Sequence, residues 1–157
     1  MMETPQLIIA NSEKHFEEGK LLFQEYAASL PIDLAFQGFA EELKTVRNQY
    51  GPPAGALILA YVGERAVGCA GIRVQAPGTA ELKRMYVQTE FRGYQLGRIL
   101  LRESISQATN LGYQKIRLDT LASMTGARKL YEVFGFEVIP AYYPNPHADA
   151  IYMEKTL

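Results

Sequence analysis

The segment RMYVQTEFRGYQLGRILL, Arg84 to Leu101, sets two glycines and two arginines where a β-like run gives way to helical spacing. A helix start has free N–H groups and partial positive charge, which suits a phosphate. Arg92 and Arg98 flank the turn and can add charge-assisted hydrogen bonds, while Gly93 and Gly97 let a ligand approach the backbone. The loop is neither G-K-[ST] after a glycine run nor G-x-G-x-x-G. Gln95 stands where a phosphate-cradling loop often has another glycine. An N–H of the first helical turn points at an anion whatever its side chain; glycine is required only where a Cβ collides or φ is positive. The loop alone supports two readings equally: an anion site, and a capped helix with a solvated arginine pair.

A second segment, LASMTGARKLYEVFGFEVI, repeats apolar residues at helical spacing: Ala127, Leu130, Tyr131 and Phe134. These read as a core stripe, but Tyr131 brings a hydroxyl that needs a partner or a task. Cys69 is the single cysteine and lies among small residues mid-strand, so it reads as buried and inert. His15 and His147 are the two histidines, which leaves no metal cluster and no hydrolytic triad in the pattern.

Between and around these segments the chain alternates strand-like and helix-like periods. QLIIA is a short strand, and Asn11 and Ser12 offer caps for a helix over Glu13 to Leu30, ended by Pro31. DLAFQGFAEELKTV reads as a second helix, and YGPPAG as a loop. ALILAYV and AVGCAGIRVQ form a hairpin over GER, followed by the strand ELKRMYV. The helix after the loop ends at Gly112, KIRLDTL is a strand, and the SMTGARKLYEVFG helix stops at Gly135. FEVIPAYY and AIYMEKTL read as two final strands around PNPHAD. The expected order is β-α-α-β-β-β-α-β-α-β-β, one α/β domain over residues 1–157 with a mixed sheet and helices on both faces.

The 157 residues suffice for one core. With 48% apolar and 21% charged residues and a net charge of −1, nothing global points to nucleic acid or an anionic membrane as partner. The N-terminal segment has no apolar core of signal-peptide length, and the longest apolar run is too short to span a bilayer. A cytoplasmic location is the expectation.

Taken together, the two segments resemble the GNAT superfamily of N-acetyltransferases. RGYQLG resembles the family's pyrophosphate loop [Q/R]-x-x-G-x-[G/A], from Arg92 to Gly97, with Gln95 departing from the middle glycine. LYEVFGF resembles its L-Y-x-x-x-G-F segment, with Ala127 at the usual spacing and Met124 in place of a frequent asparagine. The resemblance implies acetyl-CoA as co-substrate, lying where ELKRMYV splays from KIRLDTL. Its pantetheine arm would pair along Met85, Tyr86 and Val87 as an added strand does. Its pyrophosphate would meet the N–H groups of Arg92, Gly93, Tyr94, Gln95, Leu96, Gly97 and Arg98. Tyr131 would protonate the departing thiolate.

An acceptor amine of lysine-like pKa must lose a proton, at a cost of about 4.6 kcal/mol at pH 7. Glu81, six residues before Val87, has the offset of the catalytic glutamate in histone-acetylating members; its other reading is charge balance for Lys83 and Arg84. Adjacent Lys83 and Arg84 should point to opposite sheet faces, one lining the acceptor cleft and one paired with an acid such as Asp119. Acceptor specificity would come from Phe36, Gln37, Arg84, Tyr142, Tyr143 and Asn145. The implied activity is acetyl transfer to a primary amine of a small molecule. The alternatives are a protein N-terminus or lysine as acceptor, and a CoA-binding module without catalysis. The two final strands leave an edge on which a homodimer could form.

Overall fold

The computed structural model describes residues 4–157; Met1, Met2 and Glu3, which begin the N-terminal segment read above, lie outside it. Seven strands form one sheet among the described residues: β1 (Gln6–Ile9), β2 (Ala56–Val62), β3 (Arg65–Ala76), β4 (Thr79–Val87), β5 (Lys115–Leu121), β6 (Glu137–Ile139) and β7 (Ala150–Thr156). Their order is β1-β2-β3-β4-β5-β7-β6. Every neighbouring pair is antiparallel except β4 and β5. That parallel pair needs a crossover, which the helix α4 (Leu96–Asn110) supplies.

Helices cover both faces because the central strands are apolar on both. Side chains alternate along a strand. Leu57, Leu59, Tyr61 and Cys69 therefore pack under α1 (Glu13–Ser29) through Phe16, Leu22 and Phe23. Ile58, Ala70, Ile72 and Leu82 face the other way, against Leu100 and Leu101 of α4 and Tyr131 of α5 (Thr125–Val133). Ser12 caps α1 by accepting from the His15 N–H at 3.2 Å. Gly71 has a steric reason: a Cβ there would lie 2.6 Å from the Tyr50 ring. No helix of the described residues is long and apolar enough to cross a membrane.

Two sequence expectations change. The second helix is broken into a 3₁₀ turn (Leu34–Gln37), α2 (Phe39–Lys44) and α3 (Val46–Tyr50). Gly38 at φ +71° and the non-helical Thr45 interrupt it, so periodicity alone overstated its continuity. The strand from FEVIPAYY ends at Ile139; Pro140 has no N–H to extend the ladder, and Tyr142 and Tyr143 lie in the following loop.

The feature that makes a site is in β4. Cys69 pairs with Tyr86 and Gly71 with Lys83, so Arg84 and Met85 together oppose Ala70 alone. This is a β-bulge, with Arg84 at φ +57°. On the other edge, pairing of β4 with β5 covers only Thr79–Glu81 against Lys115–Arg117. Beyond that point the two strands part and leave a cleft, where the family resemblance implied one.

Candidate active site

The end of β4 that has parted from β5 borders a cavity of about 620 Å³. Met85, Tyr86 and Val87 form one wall, and the loop before α4 contributes Arg92, Gly93 and Gln95. Leu96 and Gly97 at the start of α4, and Met124 and Ala127 at the start of α5, line it as well. Sequence reasoning named all of these, but not the wall that Tyr26, Ser29, Leu30 and Pro31 add at the C-terminal end of α1. Tyr94 and Arg98 do not line it: Tyr94 is half exposed, and the Arg98 guanidinium lies 5.6 Å above the Phe134 ring.

Local geometry explains the loop and corrects one detail. Gln95 is the residue before α4 and has φ +61°, the conformation that favours glycine, and its side chain makes no capping bond. Gly97 has room to spare, since an added Cβ would come no nearer than 3.8 Å to Leu130. Arg92 does not stand free beside the turn. Its Nε donates to the Val87 carbonyl at 3.0 Å, and its guanidinium lies 5.9 Å above Tyr86. That carbonyl, expected to pair with a bound arm, is already engaged. Met124 takes the asparagine's place with a thioether, 3.7 Å from the Thr120 hydroxyl.

Met85, Met124 and Ala127 also border a second, narrower cavity of about 80 Å³. Tyr131, Asp119 and Lys83 line it. The Tyr131 side chain is buried, yet its hydroxyl has no hydrogen-bond partner among the described residues, and it is not among fully enclosed atoms. Burial pushes this phenol well above its ordinary pKa, so it stays protonated through the neutral range. Tyr26 shares this wall, a position that sequence reasoning missed because its only signal was helical spacing. Burial raises its pKa, partly offset by the Arg84 charge, to about 12.

Phe36, Gln37 and Lys83 form the partition between this cavity and a third, of about 760 Å³. Gln37 organises the partition. Its Oε1 accepts from Lys83 Nζ at 3.0 Å and Arg84 Nη1 at 2.7 Å. Its Nε2 donates to the Tyr143 hydroxyl at 2.9 Å and to Asp119 at 3.3 Å. Tyr143 in turn donates to Asp119 at 2.6 Å. Asn145 lines the second cavity and fixes its own loop by accepting from the His147 N–H at 2.8 Å. Tyr142, Tyr143 and Phe36 line the outer chamber.

Lys83 and Arg84 were expected on opposite faces, but both reach Gln37. The bulge turns Arg84 out of strand alternation. Lys83 pairs with Asp119 at 3.4 Å, as expected of one of the two. Arg84 grips Glu42 of α2 with Nε and Nη2, each at 2.9 Å, and both side chains are about 2% exposed. Arg84 therefore acts as a structural tie rather than as a free acceptor contact. Glu42 gave no local signal, because its partner is chosen by a bulge in a distant strand. Cys69 is buried with its thiol pushed well above the ordinary range and donates to the Arg84 carbonyl at 3.2 Å.

Glu81 lines the outer chamber and not the cavity that holds Tyr131. Its Oε1 accepts from Arg73 Nε at 3.0 Å and its Oε2 from the Tyr142 hydroxyl at 2.7 Å. Arg73 was missed in the sequence. A charged residue alternating with Gly71 and Gln75 on an otherwise apolar strand was the available signal.

Known proteins resemble this chain in sequence and in fold. Residues 20–136 match the model of the Acetyltransferase (GNAT) family. An uncharacterized N-acetyltransferase of Schizosaccharomyces pombe is 39% identical over 139 residues, covering 87% of this chain and 85% of that protein. An acetyltransferase from Streptococcus agalactiae has the same fold, with a TM-score of 0.78 at 24% identity over 98% of both chains. The ribosomal-protein-S18-alanine N-acetyltransferase of Escherichia coli aligns with a TM-score of 0.73 at 22% identity, over 98% of this chain and 94% of that one.

Proposed function

The chain belongs to the acetyltransferase (GNAT) family, and from that premise we propose that it moves an acetyl group from acetyl-CoA to a primary amine of a small molecule by direct attack. The observation that carries this reading is three cavities in series with shared walls, and an unpartnered tyrosine hydroxyl in the middle one. The open edge of β4 beyond Glu81 fits an extended amide-bearing arm, and the α4 N-terminus fits its diphosphate. Bound acetyl-CoA supplies the activated acyl thioester.

This chain's residues divide the remaining work. The backbone at the β4 bulge, near Met85, polarises the acyl carbonyl in this reading. The amine nitrogen forms the new C–N bond as the C–S bond breaks, and the sulfur takes the phenolic proton of Tyr131. The proton lost by the amine balances the one that tyrosine gives up. Both oxygens of Glu81 and both of Asp119 already accept hydrogen bonds. We therefore assign deprotonation of the ammonium to water in the outer chamber, with the Glu81 carboxylate favouring the proton's departure. The chamber is bordered by the loop bearing Tyr142 and Tyr143 and by the turn bearing Phe36 and Gln37, aromatic walls that suit a small acceptor.

The test is thermal unfolding with acetyl-CoA, CoA or ATP, followed by thiol release across an amine panel. A ligand at 100 times its Kd adds about 2.7 kcal/mol. Stabilisation by both CoA species but not ATP, with amine-dependent thiol release, is expected. Stabilisation without thiol release from any amine would leave a binding module and overturn the transfer reading.

A further inference from the structure

We propose that the outer chamber binds the acceptor through a carboxylate, so that the substrate is an amino acid or a related amino-carboxylate rather than a polyamine or a lysine side chain. This rests on the transfer reading above and adds the chemical class of the acceptor.

The chamber wall has more hydrogen-bond donors left over than acceptors. Its acceptors, the exposed Asn48 amide aside, are satisfied from within. Glu81 accepts from Arg73 and Tyr142. The Gln49 oxygen accepts from Arg73 Nη1 at 2.6 Å, and the Gln75 oxygen accepts from Arg117 Nη1 at 2.9 Å. Its donors are not all satisfied. Arg73 directs Nε and Nη1 to protein partners, and its Nη2 has none among the described residues. The amide nitrogen of Gln75 is likewise without a partner among them once its oxygen faces Arg117. Lys83 is buried, and its three-proton ammonium meets two acceptors, Gln37 and Asp119.

Sheet register brings these donors together. Arg73 lies opposite Glu81, and Lys83 is two residues further along the same face of β4, so the two cations are diagonal neighbours across β3 and β4. A charge row crosses the sheet from Arg73 to Glu81, Arg117 and Glu154, which keeps each carboxylate of the row beside an arginine. The chamber wall thus carries two cations that are already ion-paired, Arg73 with Glu81 and Glu42 and Lys83 with Asp119, yet it keeps spare N–H groups and no spare carboxylate oxygen. A carboxylate completes such a wall with charge-assisted bonds. A second ammonium would face Arg73 and Lys83 and lose its hydration without replacement. With the carboxylate held at Arg73, the amine of a short amino acid points toward the Lys83–Gln37 partition and the cavity of Tyr131.

The experiment is calorimetric binding to the CoA-saturated chain, using matched sets: an amino acid, its carboxamide and its decarboxylated amine. The acid form should bind at least about tenfold tighter than the amide, the factor that ~1.4 kcal/mol gives. Gln75→Glu, at a half-buried position on the sheet, should abolish that preference by adding an acceptor, and Arg73→Lys should weaken it by removing the guanidinium fork. Equal or tighter binding of the amide or amine across the panel overturns the proposal, as does failure of every acid to bind at millimolar concentration. Thiol release separates this from the reading on which it rests. Turnover of neutral amines without carboxylate preference sinks the proposal alone, whereas carboxylate binding with no thiol release sinks the transfer reading alone.

Discussion

Tyr131 buries its ring and leaves its hydroxyl open to the narrow cavity, with no hydrogen-bond partner among the described residues. Its raised pKa makes it a reluctant acid for a thiol near 8.5, so its proton moves only as charge builds on sulfur. Tyr131→Phe should lower kcat by roughly 10² or more while leaving the KM for acetyl-CoA and the unfolding midpoint nearly unchanged, since no hydrogen bond is lost. Turnover equal to the parent protein would remove the acid assignment. Gln95 shows the opposite balance, a residue held in the left-handed region without a bond to compensate. Gln95→Gly should stabilise the chain by about 1 kcal/mol in denaturant titrations and leave acetyl-CoA affinity equal or higher. A marked loss of affinity would mean that the glutamine amide is itself a ligand group.

At the scale of elements, the loop–α4 junction and the β4 bulge separate binding from stability. Gly97 in the first turn of α4 has open space beside it. Gly97→Asp should therefore fold with an unchanged midpoint yet weaken acetyl-CoA at least about tenfold, because it sets a carboxylate where the proposed function seats a diphosphate. Unchanged affinity by calorimetry would sink the loop assignment. The bulge works differently. It swings Arg84 onto Glu42 and so ties the short, broken α2 to the strand that borders the cleft. Glu42→Ala strands a buried guanidinium and should cost ~3–5 kcal/mol in chemical denaturation. A loss below about 1 kcal/mol would show that α2 is held by its apolar contacts alone.

Across the whole molecule, one polar layer runs between α2 and the sheet, through Glu42, Arg84, Arg73 and Glu81, and on through Arg117 to Glu154. Burial by itself would raise the Glu42 carboxyl. The hydrogen bonds and charge of Arg84, with the charges of Arg73 and Lys83, more than offset it and hold the carboxyl below its usual value. Glu154 is lowered mainly by its bond to Arg117. A carboxylate with a lowered folded pKa contributes stability that is fully present above its unfolded pKa of about 4.3 and is lost as pH falls through the folded value. The unfolding midpoint should therefore be level from neutral pH to about 5 and drop below about 4. A Glu42→Gln variant should show a shallower drop, and an identical profile would place the acid sensitivity elsewhere.

The order of strands and main helices and many of the residues that wall the cleft, Tyr131 among them, were legible in the sequence. Each is written in local periodicity or in residues adjacent along the chain, as with Gly93, Gly97 and the Leu130–Tyr131 pair. The partners of Lys83, Arg84 and Glu81 were not, because one extra residue in β4 re-aims side chains that strand alternation places on opposite faces. Gln37 could be named as a candidate, but its role at the partition, like that of Glu42 and Arg73, exists only where the broken second helix meets the bulged strand. Sequence alone determined the elements and the family-like motifs because these rest on near neighbours. Tertiary structure decided which charges meet, because a buried charge takes whichever counter-charge the packed backbone brings within hydrogen-bond reach.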